Sequence, residues 1–174
     1  MNDNKTSALS PAEEVRIKIK SVLYEVTASL FSDDGDEEEA LERALPVEDE
    51  IEPEELLISS IGRLKREDGR FEVSYDETEA TGMEGSVTSV SFAEDQPGII
   101  SMMRSGSVST ALVFEEHKRH HCIYNTPYMP FEICVHTLKV ENKLLEEGTL
   151  SLDYVIEIRG AQAERTKFNM QILR

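Results

Sequence analysis

Along the first regular segment of the chain, Val15, Ile17 and Ile19 alternate strictly with Arg16, Lys18 and Lys20. An apolar period of two places one face of an extended chain in a core and the other in water. The same signature returns in Phe71–Tyr75 and Leu150–Ile158; Ser86–Phe92, rich in β-branched residues, and Ile99–Met103, Ser107–Phe114, His120–Tyr124, Phe131–Val140 and Thr166–Leu173 also read as strands, and Glu54 to Leu64 reads as extended and apolar-rich. Turn signals separate these runs: Asp68-Gly69, Pro97-Gly98, Arg104-Ser105-Gly106-Ser107, Pro127 to Pro130 and Glu147-Gly148, with Gly160 ending the next-to-last run. In the first segment the apolar residues change parity after Ser21, to Val22, Tyr24 and Val26, which predicts a bulge between Lys20 and Val22.

Many short strands at regular spacing, joined by tight turns, predict an all-β fold. Successive hairpins make an antiparallel up-and-down meander. Closing such a meander into a barrel of about eight to ten strands removes its exposed edges. The 174 residues fit one domain, read as 14–174 behind a tail at 1–13. An acidic insertion, 29–53, follows the first strand. Within it Asp36 to Leu45 has the spacing of a short helix, with Glu39 and Arg43 at i,i+4, and an irregular loop is the competing reading.

The net charge of −17 is concentrated. Residues 31–55 hold thirteen acids and Arg43, a net −12, leaving −5 for the rest of the chain. No basic stripe is present to meet a phosphate backbone, so nucleic acid is excluded as a partner. No apolar run approaches the roughly 20 residues that span a bilayer as a helix. The polar start of the chain carries no export signal, so the expected compartment is cytoplasmic. There Cys122 and Cys134 are expected to be reduced thiols. The acidic segment is a solvated insertion or a docking element for a protein partner.

Several stretches, in this order, resemble the YwiB-like family: Ser74-Tyr75-Asp76-Glu77, Met103-Arg104-Ser105-Gly106, Tyr124-Asn125-Thr126-Pro127 and Leu152-Asp153-Tyr154, within a span from about Val15 to Ile172. That bacterial family is of unknown function. The resemblance implies a lipocalin-like (calycin) β-barrel and no particular activity. Two features depart from it. Met129 stands where a glycine is usual, and the acidic segment lengthens a short first connection.

Candidate sites follow from placement on strands. Arg104 ends an apolar strand before a Ser-Gly turn. Pointed into a barrel mouth, it can hold a carboxylate or phosphate, with Tyr75, Tyr124 and Tyr154 adding hydroxyls and flat apolar walls. A structural salt bridge is the competing role for Arg104. A hairpin symmetric about Tyr128 would set Cys122 opposite Cys134 and His120 opposite His136, ligand types suited to zinc but without the usual Cys-x-x-Cys spacing. No nucleophile elbow, phosphate loop or dinucleotide fingerprint occurs, so no cofactor and no catalytic residue is assigned. The expected function is a non-catalytic binding barrel for a small, anionic or amphipathic molecule. A protein-interaction module using the barrel exterior and the acidic loop is the alternative.

Overall fold

A computed structural model describes residues 12–26, 52–158 and 163–173. Its ten strands are β1 (Glu13–Val26), β2 (Glu54–Glu67), β3 (Arg70–Asp76), β4 (Ser86–Ala93), β5 (Ile99–Gly106), β6 (Thr110–Glu115), β7 (Arg119–Asn125), β8 (Pro130–Lys143), β9 (Thr149–Ile158) and β10 (Ala163–Leu173). They form one antiparallel sheet in the order β6-β5-β4-β3-β2-β1-β10-β9-β8-β7. The chain is therefore a meander whose first and last strands zip together, from Arg16 opposite Leu173 to Val26 opposite Ala163. The acidic insertion, apart from Glu52 and Pro53, lies outside the described residues, as does the short helix expected within it.

The curl brings β6 back to β7 and nearly closes the barrel. At that seam the backbone contact is sparse. Ser109 and Asn125 exchange both hydrogen bonds (3.0 and 2.8 Å), and the loop at His117 and Lys118 exchanges another pair with Thr137 (2.9 and 3.1 Å). The other nine neighbour pairs are ladders, unbroken but for one register shift between β8 and β9.

Antiparallel order gives the barrel two unlike ends. At one end stand the starts of β1, β3, β5 and β9 and the ends of β2, β4, β6, β8 and β10. Here Ile17, Phe71, Val73, Val90, Phe92, Ile100, Phe114, Leu144, Leu150, Leu152 and Met170 are all but sealed from water and fill the interior. Phe71 and Phe92, directly opposed across β3 and β4, stack at 5.1 Å. The other end keeps its space.

Local chemistry explains the turns. Asp68 and Gly69 both have positive φ (50° and 71°), which fits the two-residue hairpin predicted for Asp-Gly. The expected tight turn at 104–107 is displaced. β5 runs on through Gly106, and the reversal falls at Ser107 to Ser109. There the Ser86 side chain accepts from the Val108 amide (3.0 Å) and the Ser107 hydroxyl donates to the Glu84 carbonyl (2.9 Å). Gly106 is needed on two counts: its φ is 135°, and a Cβ would lie 2.3 Å from the Gly85 carbonyl oxygen.

Two expectations about irregularity are corrected. β1 pairs with both neighbours in unbroken register, so it has no bulge at Lys20–Val22. The parity change has another cause. Ser21 and Leu23 continue the interior face at the open end, while Val22 and Tyr24 face outward, Tyr24 beneath the Lys167 ammonium at 5.5 Å. The register break lies instead in β8, between Thr137 and Lys139.

Gly106→Ala should lower stability by about 1–3 kcal/mol, the usual cost of one strained backbone position, read as a fall in the urea midpoint at unchanged slope. An unchanged midpoint would show that the Gly85–Gly106 approach relaxes without cost.

Candidate functional site

The open end of the barrel encloses a cavity of about 840 Å³. Its wall is mainly apolar, with Ile19, Met102, Leu112, Ile133, Ile156 and Phe168 among its residues. Register explains its polar side. Tyr75 on β3 faces Thr88 on β4, Thr88 faces Arg104 on β5, and Arg104 faces Thr110 on β6. Directly opposed residues share a face, so these four form one row across the interior. Glu77, two residues beyond Tyr75, continues the face of Phe71, Val73 and Tyr75.

The row is tied by charge. Arg104 Nε donates to Thr88 Oγ1 (3.0 Å) and lies 3.4 Å from Glu77 Oε1, while the Thr88 hydroxyl donates to that same carboxylate oxygen. The two charged side chains are only 11% and 2% exposed. Removing ions from water is costly unless they are paired and hydrogen-bonded. Here each half of the pair makes the other's burial tolerable. The pairing leaves Glu77 Oε2 buried with no hydrogen-bond partner. Arg104 thus takes the salt-bridge role and also stands on the cavity wall.

All four residues singled out in the sequence, Arg104, Tyr75, Tyr124 and Tyr154, lie on this wall. Tyr154 packs over Phe114, ring centroids 4.7 Å apart, where cavity gives way to filled core. Burial pushes its phenol up to about 12, with Thr166 and Arg104 pulling the other way. Tyr75 is raised further, first by burial and then by the Glu77 charge, against Arg104 and Thr88. Both phenols therefore stay protonated donors at neutral pH. Tyr124, half-buried, directs its hydroxyl to Met83 Sδ at 3.6 Å. Met83 follows a short 3₁₀ turn, Glu79–Thr81, absent from the sequence reading.

The cysteine–histidine cluster does not form. The β7–β8 hairpin pairs Cys122 with Ile133, His121 with Cys134, His120 with Val135 and Arg119 with His136. A shift of one residue from the expected register sends Cys122 and His120 to the face of Tyr124, and Cys134 and His136 to the opposite face. The cause is the turn. Pro127 suits the second position of a four-residue turn, which centres the hairpin between Pro127 and Tyr128. The Thr126 hydroxyl accepts from the amides of Tyr128 and Met129 and donates to the Met129 carbonyl (2.9 Å). Met129 has no positive φ, so the turn has no need of the usual glycine. In this register Ile123 falls on the face opposite that of Phe131 and Ile133, and it is exposed. Among the described residues no group of three or more His, Cys, Asp or Glu could hold a metal, and Cys122 and Cys134 are not joined in a disulfide.

The comparisons agree with this architecture. The family described as "Domain of unknown function (DUF1934)" matches residues 46–170. The chain belongs to that family. The solved structure described as "Crystal structure of ywiB protein from Bacillus subtilis" is similar with a TM-score of 0.66 at 18% identity, covering 98% of this chain and 99% of that one. Identity at that level speaks for the fold alone, and it supports the lipocalin-like barrel expected from the resemblance. No curated protein matches the chain. Among the described residues no helix is long and apolar enough to cross a membrane.

Two outcomes follow. Arg104→Met should cost about 3–5 kcal/mol by stranding the Glu77 carboxylate, and adding Glu77→Gln should restore at least about half of that loss; urea denaturation of the two single variants and the double reads the coupling. Burial raises the Cys122 thiol above its ordinary value. Since the thiolate is the reactive form, iodoacetamide at pH 7.5 should modify Cys122 more slowly than a free thiol with a pKa of about 8.5. The rate should climb with pH to a later midpoint and be unaffected by added zinc. Protection by zinc would reinstate the metal site.

Proposed function

We propose that the protein is a non-catalytic binding barrel whose open end takes a small amphipathic molecule. The observation that carries this reading is the cavity itself: about 840 Å³, mainly apolar, with Tyr75, Glu77, Arg104, Tyr154, Glu164 and Thr166 among its polar residues. An enclosed apolar space with a few convergent polar groups is the usual form of a small-molecule site. Its size is within the range of such sites, roughly 300–1,000 Å³. A purely anionic ligand fits less well, because the charge of Arg104 is already met by Glu77.

An exterior interaction surface has less support. Leu57 and Ile61 are exposed on the outer face of β2, but Ser59 separates them, and scattered apolar residues are ordinary on protein surfaces. The docking role read for the acidic segment concerns residues outside those described.

Isothermal titration with ten-carbon amphiphiles of different head groups should show saturable binding. Ile156→Trp, which fills the cavity from its wall, should weaken that binding at least about tenfold, or roughly 1.4 kcal/mol. Binding untouched by the substitution, or absent for every head group, would refute an interior site.

A further inference from the structure

We infer that the acidic segment between β1 and β2, residues 27–51, docks on the outer face of β8, β9 and β10 and covers it. In a barrel one sheet thick, side chains that point outward meet water. On β8 the outward residues Lys139, Glu141 and Lys143 are exposed, as are Asn169 and Gln171 on β10. Toward the open end the same faces behave differently. Cys134 and Val155 are 0% exposed, Ala163 2% and Glu157 3%, and His136 is buried as well.

All five point away from the interior. Their chain neighbours face inward: Ile133 and Val135 flank Cys134, Tyr154 and Ile156 flank Val155, and Glu164 follows Ala163. Register makes the five one patch. Ala163, Glu157 and Cys134 are directly opposed across β10, β9 and β8, and Val155 faces His136 in the next row. Among the described residues no element lies over this patch. The ten strands form one sheet, and the short 3₁₀ turn lies against β2. A glutamate is almost never sealed in this way on an open surface.

The burial is present in a single chain, so the cover belongs to the chain. Residues 159–162 only turn β9 into β10. Residues 1–11 and 174 adjoin the filled end, next to the start of β1 and the end of β10. Residues 27–51 leave from the patch itself, because Val26 stands opposite Ala163. From Val26 to Cys134 is three strand spacings, about 15 Å. A segment of this length can span up to roughly 80 Å. Its composition fits the patch. It carries ten acidic residues against one basic, Arg43, with Leu30, Phe31, Leu41, Leu45 and Val47 among them. Around the patch stand Arg119 and His121 on β7 and Arg165 and Lys167 on β10, none of them free. Of the acids on this face, Asp153 is held by Arg165 through two hydrogen bonds (2.9 and 2.8 Å). Carboxylates of the segment can meet the bases, and its apolar residues can meet Val155 and Cys134.

Cys134 is a built-in reporter of the cover. Iodoacetamide labelling of the full chain, mapped by peptide mass, gives separate rates for Cys134 and Cys122. A buried thiol reacts only through local opening, so Cys134 should label more slowly than the half-buried Cys122. Replacing residues 29–50 by a short Gly-Ser linker should speed Cys134 at least about tenfold and leave Cys122 unchanged. Leu41→Ser combined with Leu45→Ser, both in the connecting segment, should shift Cys134 in the same direction. A Cys134 as reactive as Cys122 in the full chain, or one whose rate neither variant raises, overturns the docking. Equal acceleration of both cysteines also overturns it, since the barrel and not its outer face has then opened. Two further results would give the face a different occupant and overturn the assignment. They are protection lost on removal of residues 1–11, and protection that fades on dilution, the mark of a second copy.

Discussion

Pairing between β1 and β10 holds this structure together. Without it the meander would be a six-stranded and a four-stranded sheet joined only at the sparse β6–β7 seam, exposing backbone donors and acceptors at both chain ends and one apolar face to water. With it, the alternating residues of the strands acquire an inside. Everything said of the interior depends on that closure, because an inward-facing lining exists only once the sheet has turned back on itself. The pairing also joins the two ends of the chain, so a large share of the native contacts is long-range in sequence. Such contacts are formed at high entropic cost and tend to slow folding.

The two ends of the barrel divide the labour. Aromatic and branched side chains fill one end, where the β3–β4 stack of Phe71 and Phe92 and the buried aliphatic residues around it supply the apolar burial that drives folding. The filled end frees the other from having to contribute as much. There a charged pair replaces hydrocarbon, and space remains. A buried ion pair often stabilises no better than well-packed apolar residues of the same volume. Under the proposed binding role, its place beside Thr88 and Tyr75 is that of a polar feature for recognition, with Arg104 set on a strand.

Much of the fold was legible in the chain, because alternation reports directly on which residues face inward. The number of strands, their order along the chain and the closing of first on last all follow from short alternating runs with turn residues between them. Register was harder. Around Pro127 both faces of the hairpin carry apolar or half-buried residues, so hydrophobic pattern could not choose between two alignments one residue apart. Turn geometry chose, and the chain announces it only through the position of Pro127. In β1 the parity change looked like a bulge because a cavity, unlike a core, allows a serine on the inner face. Arg104 was legible from its place at the end of an apolar strand. Glu77 was missed, since one carboxylate among 35 acidic residues draws no notice. Its inward parity, shared with Phe71, Val73 and Tyr75, was the available signal. That Glu25 stands opposite Glu164 depends on which strands are neighbours across the closure, which no local window contains.

The seam between β6 and β7 gives the barrel a mechanical axis. Along every other neighbouring pair, widening the barrel would break a row of backbone hydrogen bonds. Along this one, among the described residues, backbone pairing is confined to Ser109–Asn125 and the loop at Thr137, helped by the Val140 amide donating to the Glu116 carboxylate and the Asn142 side chain donating to the Pro97 carbonyl. The sheet can therefore act as a split ring, stiff around most of its circumference and compliant at one slit. Val108 and Tyr124, both on the cavity wall, flank the upper fastening. At the open end girth can change by the undoing of the Ser109–Asn125 pair, and under the proposed binding role that would admit a guest bulkier than the resting mouth without unzipping any ladder.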